Sequence, residues 1–382
     1  MTIQKPTLTL AVALMMFPQI VETIYSPALT DIAQGFGVSA AQAGQTLSLY
    51  FFAFAFGVIT WGRLCDIAGR RRTMLSGLAL YAAASCGAVI TKDFSVLLIL
   101  RMLSAFGAAV GSVGTQTIMR DCYRGDELAK VFSVMGIALA VSPALGMFSG
   151  AALTGFAGYQ GVFTGLAVLA VVLLVWTALR LPETAPVHIT VISLPETAGR
   201  MLRDGFILRN VLLIAFLNIS LFSYYQLAPF YFSELGLTQQ EFGYSGLLLA
   251  LGVAAGSLIN RRLLKRGWHT HSLIRLAAVI GIISASAVWL LSDSVLFVLP
   301  VTGVVVSYGL AIPNILAGVL QDYRDRLGTA GALLGLMYYL LIGGGLALAG
   351  LSQNLGMSLF ICAAGTLICA PRNPRQSAQT AQ

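Results

Sequence analysis

An acidic side chain inside a long apolar stretch is a place for proton chemistry. Of the fifteen acidic residues in the chain, Glu22 is the one that falls well inside such a stretch. An ionisable group in hydrocarbon is costly unless it faces a partner or a wet cavity, so a functional role is its default reading. Arg101 is the cationic counterpart in another apolar stretch. Counted from the same side, both lie roughly 10 Å below the surface at 1.5 Å of rise per residue. They are therefore expected to meet or to share one cavity. Desolvation there would favour the protonated carboxyl and Arg101 the carboxylate, the opposing influences that a proton carrier needs.

Polar stripes surround this pair. Met15, Pro18, Gln19, Glu22, Tyr25 and Ser26 recur at spacings of three and four, one face of a helix. Arg101, Ser104, Ala108, Ser112 and Gln116 form a second such face, and Asn218, Phe222, Tyr225 and Gln226 a third. Gln19, Tyr25, Ser26, Gln116, Asn218, Tyr225 and Gln226 are accordingly candidate substrate-binding residues, although stripes of this kind also serve as glue between helices.

The elements that would carry these faces are membrane spans. The 382 residues are 57% hydrophobic and 10% charged, against about 25% charged in an ordinary soluble domain. The apolar blocks are long enough to cross roughly 30 Å of hydrocarbon as helices, which satisfy their own backbone hydrogen bonds. Spans are expected near Leu8 to Leu29, Gly44 to Gly62, Thr73 to Ile90, Val96 to Met119, Val131 to Thr154 and Gly161 to Leu179. Six more lie near Val211 to Phe232, Phe242 to Leu263, Leu273 to Leu291, Val295 to Leu320, Gly328 to Leu351 and Leu355 to Ala370, the last of them short. The first block carries Pro18 and Glu22 and exceeds a signal-peptide core, so it reads as a retained helix.

The net charge of +8 does not form a nucleic-acid patch. Lys and Arg fall in every second loop, and an N-terminus placed inside leaves only Lys92 and Arg101 off the cytoplasmic segments. Both termini are thus expected in the cytoplasm. Cys65, Cys86, Cys122, Cys362 and Cys369 show no CxxC spacing, and neither a disulfide framework nor a metal site is expected. His188, His269 and His271 fall in loops and read as solvated side chains.

The longest polar segment, Leu181 to Arg209 with Pro182, Pro186 and Pro195, divides the chain into residues 1–180, a cytoplasmic linker at 181–209, and 210–382. A degenerate repeat supports two like halves: Gly62-Arg-Leu-Cys-Asp66 is echoed by Gly256-Ser-Leu-Ile-Asn260, and Asp121 by Asp322. Parallel halves rocking about a midplane site are a transporter architecture.

The run Gly62-Arg-Leu-Cys-Asp66-Ile-Ala-Gly69-Arg70-Arg71-Arg72 resembles the signature of the major facilitator superfamily between its second and third helices. The resemblance implies an inner gate of Asp66, Arg70, Arg71 and Asp121 that can pair across the halves when the cytoplasmic side is shut. Arg101-Met-Leu-Ser-Ala105-Phe-Gly107 resembles the family's second motif, and Ser142-Pro143-Ala-Leu-Gly146-Met147 its antiporter motif, with serine and methionine in place of glycines. A purely structural, Pro-kinked packing face remains the other reading of that last segment. Tyr25-Ser-Pro27-Ala-Leu29, Met119-Arg120-Asp121-Cys-Tyr123, Pro229-Phe-Tyr and Phe242-Gly243-Tyr244 are similar to the Bcr/CflA drug exporters. That branch usually has aspartate where this chain has Thr23, and neighbouring Glu22 points about 100° away around the helix.

These observations set the expectation: an all-α membrane protein of twelve helices in two pseudo-symmetric six-helix bundles. It would be a proton-coupled antiporter of the bacterial inner membrane, acting as a monomer in the lipid bilayer and exporting small molecules with no cofactor. Export of a dedicated metabolite or siderophore, or proton-coupled uptake of a nutrient, would use the same helices. An enzyme finds no support in paired intramembrane carboxylates, His-based metal spacing or a nucleophile beside a base. No GxxxxGK[ST] loop offers direct ATP drive. Alternating access suits the two-half repeat better than a channel.

Overall fold

The computed structural model describes residues 5–185 and 193–371. Pro186 and His188 lie outside the described residues.

Helix α1 (Leu8–Thr23) runs through a 3-10 turn at Ser26–Ala28 into α2 (Leu29–Phe36), together one apolar stretch of 29 residues. It ends at Gly37, whose φ of 63° is the left-handed conformation that stops a helix without a Cβ penalty. Helices α3 (Ala40–Ala68), α4 (Arg70–Ile90) and α5 (Phe94–Cys122) follow. Helix α6 (Gly125–Arg180) has 56 residues, about 84 Å if straight. It is instead two passes, because Ala157 and Gly158 leave helical geometry, Gly158 at φ 60°. After a short helix α7 (Leu194–Arg203) come α8 (Gly205–Glu234), α9 (Gln239–Lys265), α10 (Thr270–Leu290), α11 (Val298–Gly318), α12 (Leu327–Ser352) and α13 (Leu355–Cys369).

Ten of the described helical stretches are long and apolar enough to cross a membrane. Counting α6 twice and adding the 15-residue α13 gives the twelve passes that the apolar blocks predict. The ends are fixed by polar residues in the loops. Ser39 with Gln42 and Thr238 with Glu241 form reciprocal capping boxes at corresponding helices of the two halves. Asp93, Asp204 and Asn354 cap α5, α8 and α13.

The contact pattern repeats. α5 packs on α3 and α4 as α11 packs on α9 and α10, and α4 meets α6 as α10 meets α13. Two seams join the halves, α3 with α12 and α6 with α9. Small residues let these helices approach: a Cβ on Gly246 would meet Met147 Sδ at 2.9 Å, and one on Gly343 would meet the Phe52 ring. We refer to the end bearing Arg70, Arg120, Arg180 and Arg262 as the basic end and to the other as the far end.

The polar segment after α6 contains a feature that composition hides. Leu-Pro-Glu-Thr-Ala occurs twice, at 181–185 and 194–198. In the first copy Glu183 accepts from the backbone N–H groups of Arg70 (2.8 Å) and Arg71 (3.2 Å) at the start of α4. In the second, within α7, Glu196 pairs with Arg326 at 3.1 Å. Thr184 and Thr197 are both buried. Helix α7 holds Met201 in the core shared by α8, α11 and α12 and turns Arg200 and Arg203 outward.

Candidate functional site

A cavity of about 440 Å³ lies between the halves. Helix α1 contributes Gln19, Glu22 and Thr23, α5 Ser112 and Gln116, and α6 Leu139 and Pro143. The other half contributes Asn218, Phe222 and Tyr225 from α8, Leu249 and Val253 from α9, Tyr308 and Leu316 from α11, and Tyr338 and Tyr339 from α12. Gln116 and Leu316 are near the basic ends of their helices, so the cavity extends toward that end.

Glu22 is 5% exposed and forms part of this wall. It makes no salt bridge among the described residues. Tyr225, Tyr308, Tyr338 and Tyr339 line the same cavity. Most of the wall is aromatic or aliphatic, with a few fixed polar groups. Asn218 donates to the Ile214 carbonyl at 2.8 Å and accepts from the Tyr308 hydroxyl at 3.4 Å. Such a surface suits a partly apolar cargo.

Arg101 does not reach the cavity wall. Its side chain is 2% exposed, and the guanidinium lies 4.0 Å from the ring centroid of Tyr25 and 4.7 Å from that of Tyr50. A planar cation between two ring faces gains electrostatic attraction from both. Glu22 and Arg101, expected to meet or to share one cavity, make no salt bridge with each other, and only Glu22 lines the cavity: the cation is held by tyrosines while the carboxyl faces the cavity.

Tyr25, Ser26 and Gln226 also lie off the cavity wall, whereas Gln19, Gln116, Asn218 and Tyr225 line it. Ser26 donates to the Tyr225 carbonyl in the other half. Gln226 donates from Nε2 to the Gly44 carbonyl of α3 at 3.1 Å. Gln239 donates to Asp31 at 3.0 Å. All three bonds cross between halves, and together they close the far end.

At the basic end, Arg70 is the hub. It is 4% exposed, and its Nε donates to Asp121 at 2.7 Å while Nη1 lies 3.5 Å from Asp66 and donates to the Cys65 carbonyl at 2.8 Å. Arg71 donates to the Ala178 carbonyl at 2.7 Å. The pairs expected to span the halves are therefore made by Arg70 inside one half. The other half answers with a neutral pair, Asn314 donating to Asn260 at 2.7 Å, and Asp322 is exposed. Sequence reasoning missed Glu183, the second anchor of this loop. Burial opposes its ionisation, but the N–H groups of Ala185, Arg70, Arg71 and Thr184 outweigh burial and hold the carboxyl below its usual value. Gly69, at φ 90°, leaves room for it.

Within the antiporter-like segment, Ser142 donates back to the Ala138 carbonyl at 2.7 Å, and Pro143 faces the cavity. Gly146 and Gly150 press against the backbone at Ile20 of α1 and at Ile24 just past its end. Met147, in place of a glycine, is fully buried against Gly246 across the seam. Tyr308, Tyr338 and Tyr339 were not among the expected binding residues. Their signal is a tyrosine inside an otherwise aliphatic helix.

Twelve antiparallel passes in two like halves around a cavity between them define a multi-pass membrane transporter. The chain belongs to the Major Facilitator Superfamily, whose profile matches residues 10–348. It is 31% identical over 343 residues to an uncharacterized transporter of Rickettsia bellii, covering 85% of this chain and 84% of that protein. It is 26% identical over 350 residues to a bicyclomycin resistance protein homolog of Haemophilus influenzae, covering 86% and 84%. Its fold is that of a bacterial homolog of the human lysosomal transporter Spinster, solved inward-facing and occupied, with a TM-score of 0.74 over 95% of this chain and 94% of that one at 16% identity. These relatives agree with the likeness to Bcr/CflA exporters and with transport in place of enzymatic chemistry.

Proposed function

We propose that this transporter is a proton-coupled antiporter that exports partly apolar small molecules across the bacterial inner membrane. The observation that carries the reading is Glu22: a buried carboxyl that makes no salt bridge among the described residues, set in the wall of a cavity between two halves. In the proposed cycle cargo enters from the basic end, taken as cytoplasmic because the arginines gather there. The bodies 1–180 and 210–382, joined by the linker 181–209, rock to expose the cavity to the far side. Glu22 accepts a proton there, cargo leaves, and the protonated carrier returns. Protonation and cargo binding compete for one neighbourhood, so each turnover exchanges one for the other. One charge moving down 100 mV supplies about 2.3 kcal/mol, enough for a gradient of about fortyfold in a neutral cargo. The pathway is enclosed by a single chain, which supports a functional monomer. Gln19, Gln116, Asn218 and Tyr225 are the proposed cargo contacts, and Asp66, Arg70, Arg71 and Asp121 the inner gate.

The test is accumulation of labelled antibiotics and metabolites in inverted vesicles with an imposed pH gradient, comparing the parent with Glu22→Gln. Gradient-driven accumulation that Glu22→Gln abolishes supports the reading. Accumulation that ignores the gradient, or full coupling in Glu22→Gln, refutes it.

A further inference from the structure

We propose that Ser26 and Pro229, one in each half, form the switch of the far-end gate, with Gln226 as its second element. Pro229 lies inside α8. Having no N–H, it cannot make the helical bond to the carbonyl four residues earlier, which is that of Tyr225. A buried carbonyl without a donor is costly, so another donor is called for. The structure supplies it from the opposite half: the Ser26 hydroxyl donates to the Tyr225 carbonyl, and Ser26 is fully buried. Ser26 reaches this point because the chain leaves α1 for the 3-10 turn at Ser26–Ala28. The two local motifs Tyr25-Ser-Pro27 and Pro229-Phe-Tyr, separate in sequence, are thereby two sides of one contact.

Gln226, next along α8, is the other side chain at this seal. It is fully buried, donates to the Gly44 carbonyl, and is flanked by two glycines of different halves. A Cβ on Gly44 or on Gly350 would stand 2.8 Å or 2.6 Å from its Nε2. A larger residue on either side would have to displace the amide, so the two glycines give it its place between α3 and α12. These bonds use main-chain carbonyls and no charge. Their breaking exposes neutral groups that water can satisfy, which suits a gate that must open on every turnover.

The inference rests on the alternating-access reading above, but its test needs neither cargo nor proton. In a background with the native cysteines replaced by serine, Leu221→Cys is introduced in the cavity wall. Its reaction with an impermeant maleimide, added on the far side of oriented vesicles, reports opening of that end. Ser26→Ala removes the donor. Pro229→Ala restores an N–H that competes for the Tyr225 carbonyl within α8, and alanine is a better helix residue, so folding is not threatened. Each change is expected to raise the labelling rate by about threefold or more, the scale of one hydrogen bond in a two-state equilibrium. The double variant is expected to match the larger single effect, since both remove the same bond. Labelling within threefold of the reporter parent in either single variant overturns the proposal, as do single effects that multiply. If vesicle transport proves independent of protons, the labelling result stands unaffected.

Discussion

The guanidinium of Arg101 lies over the ring of Tyr25 at 4.0 Å, three residues along the chain from the carboxylate of Glu22, and forms no salt bridge with it. The cation is held in place by ring faces and acts on the carboxylate through space, so the charge at position 101 and its shape are separable. Arg101→Lys keeps the charge and loses the planar stack. It is expected to retain proton-dependent accumulation at reduced rate and to lose about 1–2 kcal/mol of stability, seen as a lower melting temperature in detergent. Arg101→Ala is expected to lose both.

The Glu183 carboxylate joins the linker to the start of α4. Its folded pKa is depressed, so its contribution is present above the carboxylate's ordinary value near 4.5 and is lost as pH falls through the lower folded value. Glu183→Gln is therefore expected to lower the melting temperature by about 2–4 °C at pH 7. That difference from the parent should shrink as pH falls below the ordinary carboxylate value and vanish once it is below the depressed folded one. A difference that persists at low pH would mean that the carboxylate charge is not what matters.

Gly146 and Gly150 set the distance between α1 and α6, with the backbone at Ile20 of α1 and at Ile24 just past its end directly above them. A methyl group there must push the helix that carries Glu22. Gly150→Ala is expected to cost about 1–3 kcal/mol, as overpacking does. Gly136→Ala, on the same helix with open space around it, should leave the melting temperature within about 1 °C of the parent.

Tyr339 combines two duties, lining the cavity from α12 and packing edge-on against Phe54 of α3 at 4.8 Å. Tyr339→Leu keeps apolar bulk but removes the ring. The half-saturating concentration of aromatic cargo should rise by about tenfold, the upper range of one aromatic contact, with coupling to the pH gradient intact. Equal losses for aromatic and aliphatic cargo would point to a general packing defect.

Much of this architecture was legible because the solvent dictates it. A span must be apolar for about 20 residues whatever its neighbours, and that requirement yields every block but the last, where α13 has only 15 residues. Glu22 stands out for the same reason. What composition cannot reveal is where a stripe meets its counterpart. Gln19 and Gln226 read alike as polar residues on a helical face, yet one lines the cavity and the other is sealed between Gly44 and Gly350. The difference lies in depth along the bundle and in the 3-10 turn at Ser26–Ala28 that interrupts the first helix, which ideal periodicity ignores. The tyrosines of α11 and α12 escaped notice because their rings blend into an apolar helix, and α7 because ten residues within a polar stretch carry too short a period to stand out.

The cavity wall carries one carboxylate among the described residues, and in the proposed cycle this makes the electrical signature of transport a readout of the cargo. Exchange of a neutral molecule for one proton moves net charge and should generate current. Exchange of a monovalent cation for one proton moves none, so the pH difference alone would drive it and the membrane voltage would drop out. Recording current beside flux for each compound would then sort substrates by their charge in the bound state.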